Sequence, residues 1–183
     1  MKNKYIFYII LCLIIFAGAT YRYNIVNKDI PKEYLIDEYC VNDEISLDNI
    51  SLKVNSFKIE QRHKEIDGDD NKEATLKVVI KNTSNKELDV REIVESSKLS
   101  KGIYYQDYCN ASGDVQKINR LSVNDEMSLT LKYILFSKNL IKVDETEEYR
   151  FYISKDLYKD EIQNKEKELK LYGKYISLGV DYE

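Results

Sequence analysis

The segment TLKVVIKNTSNKELDV, residues 75–90, decides the fold, because an alternating apolar run stops at a polar turn and then resumes. Leu76, Val78 and Ile80 are separated by single residues, which is the period of a strand with one face in a core. Residues 82–86 are of types whose side chains hydrogen-bond to nearby backbone groups and favour tight turns. The segment therefore predicts two strands joined by a turn.

The same two-residue period recurs along the chain after residue 45. The ranges that show it are 50–54, 57–59, 127–135, 149–153 and 169–180, the last interrupted at Gly173. The phase changes after residue 54, which predicts a bulge near Asn55. Weak helix patterns lie at 90–99 and at 158–171, the latter also compatible with a long loop. Many short strands with one apolar face predict an all-β fold, an antiparallel β-sandwich of about seven to nine strands.

The amino terminus predicts a transmembrane anchor or a secretory signal. Lys2 and Lys4 precede an unbroken apolar run over residues 5–19, and charge returns at Arg22. The anchor is the favoured interpretation, whereas the small residues that end at Ala19 also match a cleavage site and predict secretion as the alternative. In both cases the basic residues keep the N-terminus inside and send the rest of the chain out of the cytoplasm.

The chain divides into an anchor or signal at residues 1–23, a tether at 24–44 and the β-sandwich domain at 45–183. It carries 28 basic and 32 acidic residues, and residues 1–23 hold three of the basic residues and no acid. The exported part is therefore acidic, which argues against nucleic acid as a partner because phosphate neutralisation supplies most of that affinity. Anionic headgroups would repel it too, so we expect contact with the membrane through the anchor only.

Cysteine usage leaves two interpretations open. Cys12 lies in the apolar run and is expected to act as a small hydrophobic residue. Cys40 and Cys109 form an even pair in the exported part, which permits one disulfide. Two separate thiols are the alternative, since a disulfide needs a Cα separation that the sequence does not give.

Three sequence features occur together: the N-terminal apolar segment, VVIKNTSNK at residues 78–86 and LSVNDEMSLTLKY at 121–133. This combination resembles the immunoglobulin-like extracytoplasmic domains of uncharacterised small membrane proteins and lipoproteins of low-GC Gram-positive bacteria, over residues 45–180. Those families carry a proline–glycine turn where this chain has Asn124-Asp125-Glu126. The resemblance implies an immunoglobulin-like β-sandwich at the cell envelope, and it brings no catalytic residue.

Patterns for catalysis and metal binding are weak. His63 is the only histidine and lies among charged residues, so we do not expect it to be a catalytic base. Alternate oxygen-bearing side chains in DGDDNKE are candidate calcium ligands: Asp67, Asp69, Asn71 and Glu73. An EF-hand is excluded, because its sixth position is Lys72 and its twelfth is Val78, and a hairpin loop is favoured. We expect neither a metal nor a cofactor.

Tyrosine is abundant, with 16 residues in the chain. Tyr104, Tyr105 and Tyr108 lie together beside Cys109, and such a cluster on an edge strand forms a good recognition surface. A structural role is the favoured alternative, because Tyr is common in strands and the spacing lets Tyr104 and Tyr108 share a face.

Together these features predict a membrane-tethered extracytoplasmic module for binding or assembly, without catalytic activity. Its expected partner is another protein of the cell envelope. One alternative is an accessory subunit of a membrane transporter or sensor, in which the anchor contacts the partner. A second alternative is a small surface hydrolase that uses paired carboxylates, although no such pair is evident in the sequence.

Overall fold

The computed structural model describes residues 2–31, 33–61, 71–140, 143, 146–168 and 170–179. Helix α1 covers Lys2–Val26 and precedes a body of two five-stranded sheets. The strands are β1 (Glu33–Cys40), β2 (Glu44–Ser46), β3 (Ile50–Gln61), β4 (Lys72–Asn82), β5 (Lys98–Lys101), β6 (Tyr104–Gln106), β7 (Asn110–Gly113), β8 (Glu126–Leu135), β9 (Tyr149–Tyr152) and β10 (Lys170–Leu178). The other helices are α2 (Glu92–Glu95), α3 (Ser137–Leu140) and α4 (Lys159–Lys167), with 3₁₀ turns at Val115–Lys117 and Lys155–Tyr158.

Sheet A has the strand order β1-β10-β9-β5-β6, and sheet B has the order β2-β3-β4-β8-β7. The described residues therefore form a β-sandwich of ten strands, more than the sequence predicts. The strand pairs are antiparallel except for β1 with β10, which run parallel. Parallel pairing needs a long crossover, and here most of the domain lies between the two strands.

Sheet B is built from the segments with the clearest alternation. Leu76, Val78 and Ile80 of β4 are fully buried, and β4 pairs with β8 from Lys72↔Leu135 to Lys81↔Glu126. The predicted bulge is confirmed, because the register of β3 on β4 shifts between Val54 and Ser56. The shift returns Phe57 to the core.

The predicted turn after β4 is confirmed, but a second strand does not follow it. The buried side-chain amide of Asn82 donates to the carbonyls of Lys86 (2.8 Å) and Leu121 (2.9 Å), and its oxygen accepts from the Ser84 backbone N–H. Leu88 then pairs with Leu121 as an isolated bridge. The turn therefore leads into a loop that is hydrogen-bonded, through Leu88, to Leu121 in the segment before β8.

The core lies between the two sheets. The rings of Phe57 from sheet B and Tyr149 from sheet A pack with their centroids 5.4 Å apart. Both predicted helix segments are helical in the structure: α2 buries Ile93 and Val94, and α4 packs along β10.

Strand β1 lies inside the segment that the sequence predicts as a tether. Most of its side chains are exposed, so no apolar alternation marks it as a strand. It nevertheless pairs with β10 at every position from Glu33↔Lys170 to Cys40↔Ser177. The sandwich therefore begins at Glu33, and residues 27–32 alone separate it from α1.

Strand β10 is continuous through Gly173, where the sequence predicts an interruption. The hydroxyl of Tyr34 lies over this glycine, and a Cβ at position 173 would come within 3.0 Å of it. The glycine therefore allows the Tyr34 ring to lie close against the sheet.

Candidate functional site

Lys174 of β10 lies with its charged group in the interior, and its side chain is only 4% exposed. The alternation of β10 places it on the same face as the buried Ile176. Its ammonium is 2.9 Å from Glu161 Oε2, 3.3 Å from the Tyr39 hydroxyl and 3.8 Å from Asp37 Oδ2. We call these residues, with Tyr158 and Tyr172, the Lys174 cluster.

Three tyrosine rings surround the ammonium of Lys174. The ring centroids of Tyr39, Tyr158 and Tyr172 lie 5.6, 5.6 and 5.5 Å from the nitrogen, within the range of cation–π attraction. These rings partly replace the water that the charge loses on burial.

Hydrogen bonds extend the cluster across β1, β10 and α4. The Tyr172 hydroxyl lies between two carboxylates, 2.7 Å from Glu161 Oε1 and also hydrogen-bonded to Asp37 Oδ2. The Tyr158 hydroxyl accepts from the Lys174 backbone N–H at 3.1 Å and donates to the Ile153 carbonyl at 3.4 Å. The cluster therefore fastens both the edge strand β1 and helix α4 to the sheet.

The electrostatics of the cluster favour a structural role. Burial lowers the pKa of Lys174, but hydrogen bonds to Glu161 and Tyr39 outweigh burial and leave that pKa above its ordinary value. Burial, followed by the neighbouring carboxylates, raises the pKa of Tyr172 well above its ordinary value. These raised pKa values keep Lys174 charged and Tyr172 neutral at physiological pH.

The outer face of sheet A carries three adjacent tyrosines, which we call the tyrosine row. It consists of Tyr105 on β6, Tyr152 on β9 and Tyr175 on β10. The Tyr105 and Tyr152 centroids are 5.5 Å apart, and those of Tyr152 and Tyr175 are 5.4 Å apart. Tyr105 is 58% exposed, Tyr152 is half-buried and Tyr175 is buried, so the row presents its accessible end at the β6 edge.

Arg150 adds a planar cation to the same face. Its guanidinium lies 5.0 Å from the centroid of the Tyr175 ring, and its backbone pairs with Ser100 of β5. Arg150 Nε and Ser100 Oγ are buried and make no hydrogen bond to any described residue. Aromatic rings with a neighbouring cation bind partners by stacking and by charge-assisted hydrogen bonds.

The structure separates the three tyrosines that the sequence places together. Tyr104 and Tyr105 point to opposite faces of β6, and Tyr105 joins the tyrosine row. Tyr108 packs partly against the core and lines a cleft of about 260 Å³ with Arg91 and Asn119. Tyr105 is thus the member of the predicted cluster that lies on the outer face of sheet A.

Two of the four predicted calcium ligands, Asp67 and Asp69, lie outside the described residues. His63 lies outside them as well. Asn71 is buried, and its side-chain oxygen accepts from the Ser137 backbone N–H at 3.2 Å. Glu73 forms a 2.6 Å ion pair with Lys132. Within the described segments, no group of three or more His, Cys, Asp or Glu side chains is arranged to hold a metal ion.

Cys40 and Cys109, both among the described residues, are free and exposed thiols. Cys40 ends β1 in sheet A. Cys109 lies beside sheet B, where its backbone N–H and its thiol both donate to the Lys132 carbonyl, at 2.7 and 3.1 Å. The structure therefore places the two thiols on different sheets and leaves them unbridged.

Sequence reasoning missed the Lys174 cluster. The available indication was a lysine at an inward position of the alternating segment LYGKYISL, residues 171–178. Its partners Asp37 and Tyr39 lie on a strand that the apolar pattern does not reveal, 135 or more residues away in sequence. No local spacing rule connects them.

Comparison with known proteins adds information on the fold. No protein-family model and no curated protein sequence matches the chain. An uncharacterised β-sandwich protein from Clostridium difficile 630 has a similar structure, with a TM-score of 0.53 and 11% identity over 81% of this chain and 97% of the other. At this identity the similarity shows the β-sandwich fold alone.

Two further structures have lower TM-scores. A functionally unknown protein from Listeria monocytogenes gives 0.48, with 10% identity over 71% of this chain and 83% of the other. A candidate lipoprotein from Bacillus subtilis gives 0.41, with 18% identity over 60% of this chain and 32% of the other. All three similar structures come from Gram-positive bacteria.

Proposed function

We propose that this chain is a membrane-tethered extracytoplasmic binding module that recognises a partner through the outer face of sheet A and performs no catalysis. The observation that carries the proposal is the tyrosine row with Arg150, an aromatic and cationic surface on the outer face of sheet A that is most accessible at Tyr105. The expected partner is another protein of the cell envelope.

Helix α1 supports the tether. Residues Tyr8–Val26 form a 19-residue stretch with a mean hydropathy of 1.8, which is long and apolar enough to cross a bilayer. The helix continues past Ala19, the end of the predicted cleavage site, to Val26. Lys2 and Lys4 lie in the first turn of α1, before the apolar stretch, and the positive-inside rule then orients the sandwich outside the cytoplasm. These features favour an uncleaved single-pass anchor over a secreted form.

We also propose that the β-sandwich is immunoglobulin-like. Two packed sheets with a shared apolar core support it, as does the turn at Asn82 that the resemblance includes. The parallel strand β1 is then an addition at the edge of sheet A, made by the chain segment that connects the sandwich to the anchor.

A non-catalytic role is supported by the state of the charged groups in the Lys174 cluster. Asp37 and Glu161 form a carboxylate pair of the kind that a hydrolase would need. Both carboxylates are engaged, however, by the Tyr172 hydroxyl and the Lys174 ammonium. We therefore assign the pair to the stability of the domain.

A photocrosslinking experiment tests the recognition surface. A photoreactive phenylalanine analogue replaces Tyr105 in the full chain, in its native membrane, with Val123 as a control position on a loop before β8. Tyr105 and Val123 are 58% and 44% exposed, so both reach a neighbouring protein. We expect a specific crosslinked product at position 105 that Arg150→Ala weakens. Equal products at both positions, or none at 105, would contradict the proposal.

One observation favours a second candidate function, that of an accessory subunit whose anchor contacts the partner. One side of α1 carries a row of exposed apolar and aromatic side chains that forms an open groove, suited to a second membrane helix. The groove is lined by Tyr5, Tyr8, Ile9, Cys12, Leu13 and Phe16. Replacing α1 with an unrelated apolar span separates the two functions, since crosslinking at Tyr105 survives only if the sandwich recognises the partner by itself.

A further inference from the structure

We infer that the edge of sheet A next to the anchor rests on the membrane surface through an apolar patch. This patch, called here the edge patch, consists of Ile30, Tyr34, Ile36 and Leu171. The inference rests on the membrane tether of the proposed function, and it concerns the β1 edge of the outer face of sheet A, the face that also carries the tyrosine row.

The edge patch is apolar and accessible. Its four side chains are each between 42% and 54% exposed. Tyr34 pairs directly with Leu171, and Ile36 pairs with Gly173, so the three strand residues lie side by side. Tyr34 and Ile36 point outward, because the alternate residues Leu35 and Tyr39 pack against the core.

The connection to the anchor fixes where this patch lies. Residues 27–32 join α1 to β1, and six extended residues span at most about 20 Å. Part of this segment is coiled, since the Asn27 N–H donates to Tyr23 O and the Ile30 N–H donates to Asn27 O. With α1 in the bilayer, Glu33 and its neighbours are therefore held close to the headgroups.

The strand directions distinguish a near end of sheet A from a far end. Strands β1 and β10 run parallel, so Tyr34 and Leu171 both lie where these strands begin. Leu178, at the other end of β10, pairs with Tyr149, which pairs with Lys101. The turn that follows Lys101 contains Ile103, which lies at the far end and is 82% exposed. Leu171 and Leu178 are seven strand positions apart, which separates the two ends by about 23 Å.

The chemistry of the edge patch fits the interfacial zone of a phospholipid bilayer. Tyrosine is favoured at headgroup level, and aliphatic side chains are favoured at the boundary with the acyl chains. Nearby, Lys170 lies between two carboxylates, 4.0 Å from Glu33 and 3.2 Å from Glu168, so these groups offer no net positive charge to lipid headgroups. The contact is therefore apolar rather than electrostatic, and it adds to the anchor as a membrane contact of the acidic domain.

The absence of tryptophan from the sequence gives a direct test. Three full-chain variants each carry one reporter: Tyr34→Trp, Leu171→Trp and, as the far-end control, Ile103→Trp. Each is reconstituted as a single copy in nanodiscs of phosphatidylcholine with brominated acyl chains, which quench tryptophan at short range. Nanodiscs of unbrominated phosphatidylcholine give the reference emission, and circular dichroism confirms that each variant is folded.

We expect emission from positions 34 and 171 to shift to shorter wavelength and to lose intensity in brominated nanodiscs, with no change at position 103. Adding Tyr34→Ser and Ile36→Ser to the Leu171→Trp variant should abolish its quenching, because the native apolar side chains hold the sheet on the bilayer. Unchanged quenching in that variant overturns the assignment to the edge patch.

Co-purification of the chain with the nanodisc separates the two proposals. A chain that does not co-purify contradicts the tether itself. A co-purifying chain with no quenching at 34 and 171 overturns the membrane contact, leaves the tether intact and frees the edge patch for a protein partner. Quenching at all three positions overturns the orientation, since the far end of sheet A would then also lie at the bilayer.

Discussion

The substitution Glu161→Gln probes how the domain tolerates a buried ammonium. It keeps the size of the side chain and removes the charge that lies 2.9 Å from Lys174 Nζ. Among the described residues, Asp37 is then the remaining carboxylate within ion-pair distance, at 3.8 Å. Lys174 is only 4% exposed, so water does not take over from the lost carboxylate.

The expected cost follows from comparing the two sides of the ion pair. Removing one partner of a buried ion pair lowers the free energy of unfolding by about 3–5 kcal/mol. The tyrosine rings and Asp37 still stabilise the ammonium, so we expect a loss of about 2–3 kcal/mol for Glu161→Gln. Lys174→Met instead leaves two carboxylates that are 49% and 35% exposed and remain hydrated. We expect Lys174→Met to lower the free energy of unfolding by about 1–2 kcal/mol.

The double variant makes the test decisive. Once Lys174 is Met, the Glu161 carboxylate has no buried charge to compensate. Glu161→Gln should then cause almost no further loss in the free energy of unfolding. The double-variant cycle should give a coupling of about 2 kcal/mol.

The assay is thermal unfolding of the full chain in detergent, followed by near-ultraviolet circular dichroism of the tyrosines. Each kcal/mol should lower Tm by about 2–4 °C for a domain of this size. A smaller effect of Glu161→Gln than of Lys174→Met, or strictly additive effects, would show that Glu161 does not compensate the buried charge of Lys174.

Three further predictions concern single positions. Burial raises the pKa of Tyr158 to about 12, so its contribution to stability is complete below the unfolded pKa of about 10 and is lost as the pH rises towards 12. Tyr158→Phe should make that alkaline decline less steep in urea titrations, while the raised pKa values of Tyr133 and Tyr172 maintain the rest of it, and an unchanged decline would assign it to another group. Asn82→Ala removes the bonds to Lys86, Leu121 and Ser84 and should cost about 2–3 kcal/mol, whereas the exposed Asn85→Ala should change stability by about 0.5 kcal/mol or less. Equal urea midpoints for the two variants would count against the role of the Asn82 turn. Gly113 has φ +99° and a Cβ there would come 2.4 Å from the Ser128 carbonyl oxygen, so Gly113→Ala should cost about 2 kcal/mol or more. Gly179→Ala, where the described residues leave open space, is its control, and similar melting temperatures would refute the steric argument.

The centre of sheet B was predictable from sequence for a physical reason. One face of β4 and one face of β8 lie in the core, so burial imposes the two-residue period on the sequence. The phase change after Val54 corresponded to a real bulge, because Phe57 must return to the core after an extra residue. The side chain of Asn82 specified its own turn through local hydrogen bonds.

The edge of sheet A was not predictable in the same way. Strand β1 is exposed on most of both faces, so burial imposes no period on it, and its pairing with β10 depends on the backbone. Lys174 breaks the apolar pattern of β10, and its burial depends on Asp37, Tyr39 and Glu161 from other elements. The tyrosine row likewise joins residues from three strands, of which only Tyr105 lies in the cluster visible in the sequence.

Labelling of the exposed thiols of Cys40 and Cys109 tests whether an uncleaved anchor holds the sandwich outside the cytoplasm. A membrane-impermeant maleimide is applied to intact cells that produce the Cys12→Ser variant, with and without prior mild reduction. We expect both thiols to be labelled in intact cells and the labelled chain to stay in the membrane fraction. Labelling only after the cells are broken would contradict it.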